Sequence, residues 1–222
     1  MENKCYKYKV CIFDLDGTIT DSVGAIAHTA NQTLELFGLA AQPVEAYKQF
    51  AGDGQYELIK RALTAAGDEN LACYEKAMPK YIELFRDGCT YGVTAFDGIK
   101  ELLGYLKEKG CKIAVLSNKH QVNTTKVVET VFGKNYFDVV MGQSDTCEKK
   151  PSPQGAWMIA EKFGLKPEEC LYFGDTDTDM KTGKNAGMDT VGVTWGFRSR
   201  QELKDNGAKY IVDEPKEIMG IV

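Results

Sequence analysis

No apolar run in these 222 residues approaches the roughly 20 needed to cross a bilayer, and the opening Met1-Glu2-Asn3-Lys4-Cys5-Tyr6-Lys7 has no signal-peptide h-region. A soluble, cytoplasmic protein with no membrane partner is the expectation. Cationic excess is missing too. The chain sets 27 Lys and Arg against 32 Asp and Glu for a net charge of -5, so no broad basic surface forms and nucleic acid is not the expected partner. The seven cysteines (5, 11, 73, 89, 111, 147, 170) are odd in number, scattered and never spaced C-x-x-C, which argues against a disulfide framework and a zinc site. Cys11, Cys111 and Cys170 sit in or beside apolar runs and read as small buried hydrophobes. Histidine is scarce. His28 reads as a helix-surface residue and His120 as a cap or ligand contact, neither as a catalytic base. Tyr6, Tyr8, Trp157 and Trp195 read as packing residues rather than a base-stacking platform, and there is no repeat or low-complexity tract.

Short β-rich apolar runs at 9–13, 111–116, 137–141, 170–173 and 190–194 are separated by helical stretches. This alternation predicts an α/β fold with a doubly wound parallel sheet. Ile99, Leu102, Leu103 and Leu106 fall at helical spacing, with Asp97 placed to cap the helix and Gly110 to close it. Residues 20–90 break the pattern. They hold no convincing strand, only helical periodicity over 22–37, 44–50, 55–66 and 70–86, punctuated by Gly38, Pro43, Gly52, Gly54 and Gly67. The expected organisation is a core of 1–19 and 91–222 with an all-helical insertion, 20–90, placed over the strand ends as a lid.

The first run, Val10-Cys11-Ile12-Phe13, delivers Asp14-Leu15-Asp16-Gly17-Thr18-Ile19. A strand running straight into Asp-x-Asp-Gly aims two acids at a strand's C-terminal end, where parallel sheets bind ligands, and two like charges so close need a cation or a proton. Another run ends in Ser117-Asn118-Lys119, a hydroxyl and an amide at a strand tip. Glu148-Lys149-Lys150-Pro151 puts two lysines before a Pro-rich helix start; alone it reads as a solvated charge run. A further strand enters Gly174-Asp175-Thr176-Asp177-Thr178-Asp179. Helix capping accounts for one or two of those acids, but not for acidic turns after two buried strands. Asp14, Asp16, Asp175 and Asp179 together form an oxygen-donor cluster suited to Mg²⁺, and soft metals lack ligands here.

These segments, Asp14-Leu15-Asp16-Gly17-Thr18-Ile19, Ser117, Lys150-Pro151 and Gly174-Asp175-x-x-x-Asp179, resemble the four ordered motifs of the haloacid dehalogenase-like hydrolase superfamily over essentially the whole chain. The resemblance implies Asp14 as the nucleophile forming an aspartyl-phosphate, and Asp16 as acid to the leaving group and then base for water. It implies Ser117 on the phosphoryl oxygens and Lys150 offsetting their charge. Mg²⁺ would sit on Asp14, the Asp16 carbonyl and Asp175, with Asp179 a ligand directly or through water. The long interval before Ser117 places the insertion at the family's early cap position.

Gly52-Asp53-Gly54 followed by Leu58-Ile59-Lys60-Arg61-Ala62-Leu63 is similar to the cap of phosphoglycolate phosphatase-type members, as are Asp16-Gly17-Thr18-x-x-Asp21-Ser22, Asn118-Lys119 and Trp195-Gly196-Phe197. Candidate substrate contacts are therefore Thr18, Asn118, Lys119, Gly54 and Arg61, although a salt bridge is the usual fate of a helical arginine and a tight turn explains Gly52 and Gly54 as well. Phosphoglucomutase-like relatives carry G-x-S-R where this chain has Gly52-Asp53-Gly54-Gln55. Phosphonate-cleaving relatives need a cap lysine in a local pattern that neither Lys48 nor Lys60 matches, and dehalogenases lack the second acid that Asp16 supplies. The expected function is hydrolysis of a small phosphorylated metabolite by a monomer or small homo-oligomer. A phosphosugar mutase, a pyrophosphatase and a receiver-like phosphoacceptor or phosphate-binding protein are the alternatives.

Overall fold

Four consecutive residues, Val10–Phe13, are all buried, and their side chains alternate between two apolar clusters: Cys11 and Phe13 in one, Val10 and Ile12 in the other. A strand covered on both faces is the signature of a central parallel strand. This is β1 in the computed structural model, which describes residues 7–222; Cys5 and Tyr6 lie outside the described residues.

After β1 come β2 (Thr20–Asp21), α1 (Val23–Leu36), α2 (Ala46–Phe50), α3 (Gln55–Ala65), α4 (Tyr74–Gly88) and β3 (Thr94–Ala95). The chain continues through α5 (Ile99–Glu108), β4 (Lys112–His120), α6 (Gln121–Phe132), β5 (Val139–Gln143), α7 (Gln154–Lys162), β6 (Cys170–Gly174), α8 (Asp177–Ala186), β7 (Asp189–Val193), α9 (Arg200–Asp205) and β8 (Tyr210–Val212). The main sheet has the order β5-β4-β1-β6-β7-β8, and every pairing in it is parallel.

Helices cover both faces. Ile99, Leu102, Leu103 and Leu106 of α5 and Val127 and Val128 of α6 bury against one side, while Ala156, Ile159 and Ala160 of α7 and Ala186 of α8 bury against the other. The three-layer α/β arrangement follows, with Phe13 stacked on Phe173 between adjacent central strands, ring centroids 4.4 Å apart. Cys11, Cys111 and Cys170 are buried as expected. No helix among the described residues is long and apolar enough to cross a membrane.

The four helical stretches read between residues 20 and 90 are α1 to α4, and α1 packs on the other three. Their apolar residues, among them Ile26, Leu34, Leu58, Leu63, Tyr81 and Phe85, belong to the same cluster as Phe13 and Phe173. Two details differ from the sequence reading. α4 begins at Tyr74 rather than near residue 70, because the Asp68 carboxylate accepts from the amides of Ala72 and Cys73 and holds a turn there. α5 has no side-chain cap from Asp97; Gly98, left-handed at φ +79°, occupies the cap position. The short β2–β3 antiparallel pair, which closes the neck of the helical segment, and the three-residue β8 had no clear signal.

Candidate active site

β4, β1 and β6 are neighbours, and Phe13 pairs in register with both Val115 and Phe173. The residues that follow therefore gather at one edge of the sheet: Asp14 just after β1, Ser117 in the last part of β4 and two residues beyond Val115, and Asp175 just after β6 and two beyond Phe173. From β1 the chain first builds outward through β4 and β5, then crosses back to β6, β7 and β8. A reversal of this kind opens a crevice at the carboxyl ends of the central strands. The Asp14 amide donates to the Phe173 carbonyl at 2.9 Å, which fixes where its side chain begins.

Lys150 is buried within this edge. Its Nζ lies 2.7 Å from Asp14 Oδ1 and 2.6 Å from Asp179 Oδ1. The other Asp179 oxygen, Oδ2, accepts from both the amide (3.1 Å) and the hydroxyl (2.6 Å) of Thr176, a capping box that starts α8. Asp175, fully buried, accepts from Thr18 Oγ1 at 2.7 Å and from the Phe197 amide at 2.8 Å. One ammonium cannot balance three acids. Burial pushes the Asp14 carboxyl up to about 7, with Asp179 and Asp16 adding to the rise and Lys150 opposing it. Burial likewise holds Asp175 well above the carboxylate range, reinforced by Asp179 and Asp14. Burial alone would pull Lys150 down, but Asp14 and Asp179 overcome it and keep the ammonium charged.

Asp14, Asp175 and Asp179 each bring a carboxylate oxygen within 4.8 Å of the others. Asp14 Oδ1 is buried without a well-directed hydrogen bond despite its nearness to Lys150. Hard oxygen donors, uncompensated negative charge and an under-satisfied carboxylate together fit a divalent cation such as Mg²⁺. The Asp16 side chain is outside this cluster. Space around Asp175 is tight: a Cβ on Gly17 (φ +82°) would come 2.2 Å from Asp175 Oδ2, and one on Gly196 would come 2.2 Å from Asp175 Cβ.

Asp16 stands apart, held by Lys119 Nζ at 2.6 Å and by Ser22 Oγ at 2.5 Å, both on Oδ1. Ser117 Oγ accepts from the Lys119 amide at 3.2 Å. Asn118 ties the edge together, accepting from the Lys150 amide (2.8 Å) and donating to the Lys150 carbonyl (3.1 Å) and the Gly52 carbonyl (3.0 Å).

A cavity of about 50 Å³ opens here, lined by Asp14, Asp16, Ser117, Asn118, Lys119 and Lys150 from the strand ends and by Gly52, Gly54, Gln55, Leu58, Tyr81 and Phe85 from the helical segment. Its volume suits a few waters or a small anionic group. Of the expected contacts, Asn118, Lys119 and Gly54 line it. Thr18 and Arg61 are not among the lining residues: Thr18 serves Asp175, and Arg61 donates to the Phe50 carbonyl (2.9 Å) and Asp53 (2.5 Å), the salt-bridge fate. His120 caps α6 through Nδ1 and also lines the cavity, whereas His28 stacks on Tyr91 at the surface. Sequence reasoning gave no role to Ser22, Thr176, Phe197 or Arg198. Phe197 and Arg198 bond segments far from them in the chain, whereas Ser22 and Thr176 bond acids only six and three residues away; the signal was that Ser22, Thr176 and Phe197 stand in stretches similar to the family's.

The profile of the haloacid dehalogenase-like hydrolases matches residues 11–193. A phosphoglycolate phosphatase of Aquifex aeolicus is 33% identical over 193 residues, covering 85% of this chain and 86% of that protein. One from Neisseria meningitidis is 31% identical over 198 residues, covering 88% and 84%. Among solved structures, a protein of Lactobacillus delbrueckii subsp. bulgaricus superposes with a TM-score of 0.86 at 31% identity, covering 97% of this chain and 98% of that one. The four motifs converge on one sheet edge, and the likeness runs nearly end to end: the chain belongs to the haloacid dehalogenase-like hydrolase family.

Proposed function

We propose that this hydrolase is a Mg²⁺-dependent phosphatase of the phosphoglycolate phosphatase type, acting on a small phosphorylated metabolite through an aspartyl-phosphate on Asp14, with residues 20–90 as its cap. The observation that carries this reading is the single small cavity in which Asp14, Asp16, Ser117 and Lys150 meet beneath residues of the helical segment. The names of the relatives from Aquifex and Neisseria support the substrate class.

In this mechanism an Asp14 carboxylate oxygen attacks phosphorus and the bond to the ester oxygen breaks. Asp16 gives its proton to the departing alkoxide. Water then attacks the phosphoryl group, Asp16 takes a proton from it, and the Asp14–phosphorus bond breaks to release inorganic phosphate. Ser117 donates to the phosphoryl oxygens, and Lys150 offsets their charge together with that of Asp14. Asp14 and Asp175 would hold Mg²⁺ with the Asp16 carbonyl, and Asp179, whose oxygens already serve Lys150 and Thr176, would complete the shell through water. The bound cation would neutralise the surplus acid charge and polarise the phosphoryl oxygens.

The ion pair between Asp16 and Lys119 gives the incoming substrate something to exchange with: an anionic ligand in the cavity competes for Lys119 and frees Asp16 for proton transfer. Closure of residues 51–55 over the cavity keeps bulk water from the phosphoryl group. The experiment is phosphate release from a panel of phosphorylated metabolites with Mg²⁺, comparing wild type with Asp14→Asn. Turnover of at least one small monoester that is abolished in the variant supports the reading, and full activity of the variant overturns it.

A further inference from the structure

Residues 48–53, part of which wall the cavity, are gripped from the sheet side by three side chains, two on backbone carbonyls and one on the Asp53 carboxylate. Asn118 donates to the Gly52 carbonyl at 3.0 Å, and Thr178 Oγ1 donates to Asp53 Oδ1 at 2.9 Å. Arg198, from the loop after β7, reaches furthest: Nη1 donates to the Lys48 carbonyl and Nη2 to the Ala51 carbonyl at 3.0 Å, while Nε lies 3.2 Å from Glu202 Oε1. Arg198 is only 8% exposed. A guanidinium buried on main-chain carbonyls of another segment is satisfied only while that segment is seated against it. The close fit extends to Gly52, at φ +117°, where a Cβ would stand 3.6 Å from Arg198 Nη2 and 3.5 Å from Thr176 Cγ2.

The stretch that carries Arg198 is fixed at its other end to the acidic edge. The Phe197 amide donates to Asp175 Oδ2 at 2.8 Å, and Trp195 Nε1 donates to the Thr18 carbonyl at 2.9 Å, while Thr18 Oγ1 bonds the same Asp175. We infer that Arg198 is a positioning residue: it seats the end of α2 and the 51–54 loop over the cavity and joins that seating to the placement of Asp175 through Phe197. The kinetic part of this inference rests on the proposed phosphatase activity, but the structural part does not.

The test uses the full chain with Mg²⁺ and inorganic phosphate as the probe ligand, and follows amide hydrogen exchange in peptides covering 48–55. Arg198→Ala is expected to speed exchange there by about tenfold, the effect of losing charge-assisted bonds, while β1 and β6 keep wild-type protection. Arg198→Lys, able to reach one carbonyl, recovers part of the protection. Thr178→Val speeds exchange in the same peptides by a smaller factor. In turnover, Arg198→Ala raises KM by about tenfold and changes kcat by less than about threefold, the split expected of a residue that seats the lid without touching the reacting atoms. Wild-type exchange at 48–55 in Arg198→Ala overturns the inference, and so does an equal rise in β1 and β6, which reports general destabilisation. If Arg198→Ala does not fold, the other two variants decide: an unchanged 48–55 segment in both overturns it. A wild-type protein that hydrolyses no ester of the panel refutes the proposed function, and the exchange experiment still decides the role of Arg198.

Discussion

Lys119 Nζ and Asp16 Oδ1 stand 2.6 Å apart across the mouth of the cavity, and the lysine side chain is only 5% exposed. A pair this shielded is more strongly coupled than a surface salt bridge, and breaking one side leaves the other charge poorly solvated. Replacing Lys119 by Met is expected to lower kcat/KM by at least about tenfold with far-ultraviolet circular dichroism unchanged. Steady-state kinetics on the best ester of the panel checks this, and an unchanged kcat/KM would remove Lys119 from the site.

In the proposed mechanism Asp16→Asn leaves Asp14 able to attack but takes away the proton-transfer partner. Turnover should fall by about 10² to 10⁴ and covalently phosphorylated protein should accumulate, visible as added phosphate mass after acid quench. A variant that slows as expected yet never carries the phosphoryl group would contradict the order of steps.

The acidic cluster makes stability depend on pH in a distinctive direction. Asp14 rises from an ordinary 3.8 to about 7 in the folded chain, with burial the largest cause. Between those values the folded state binds a proton that the unfolded state has lost. The contribution of Asp14 to the stability of the metal-free protein is therefore fully present below the unfolded value and is lost as pH climbs through 7. Mg²⁺, by stabilising the ionised acids, should flatten that decline. Thermal melts from pH 4.5 to 8, with chelator and with Mg²⁺, test it; a chelated protein that gains stability over this range would refute the direction.

Gly196 has no room for a side chain, since an added Cβ would meet the Asp175 Cβ at 2.2 Å. Gly196→Ala is expected to cost roughly 1–3 kcal/mol in stability, as overpacking does, and to raise the Mg²⁺ concentration needed for half-maximal activity. Denaturant unfolding and a Mg²⁺ titration measure the two effects. A destabilised variant with unaltered Mg²⁺ dependence would mean that Asp175 does not report to the cation.

What the sequence discloses here is what lies close along it. The run Val10–Phe13 and the acids after it are consecutive, so strand, burial and chemistry can be read together, and the same holds for Cys170–Gly174 with Asp175. The helical period of α5 is equally local, and all four of its apolar positions are buried. Contacts between distant segments leave no such trace. Thr18 is read as a substrate contact because its partner is 157 residues away. Arg61 differs: Asp53 and the Phe50 carbonyl lie only 8 and 11 residues back, and the ion pair it forms is the usual fate of a helical arginine. β8, three residues long at the sheet edge, is too short for periodicity to register.

The capping box of α8 gives Asp179 two employers. One oxygen begins a helix and the other restrains the Lys150 ammonium. Secondary structure and charge balance are thus fastened by a single carboxylate, and neither can be loosened in isolation. Fraying of the first turn of α8 would turn Lys150 loose beside Asp14, so a change at Thr176, which does not line the cavity, would be felt at the cavity's most buried acid.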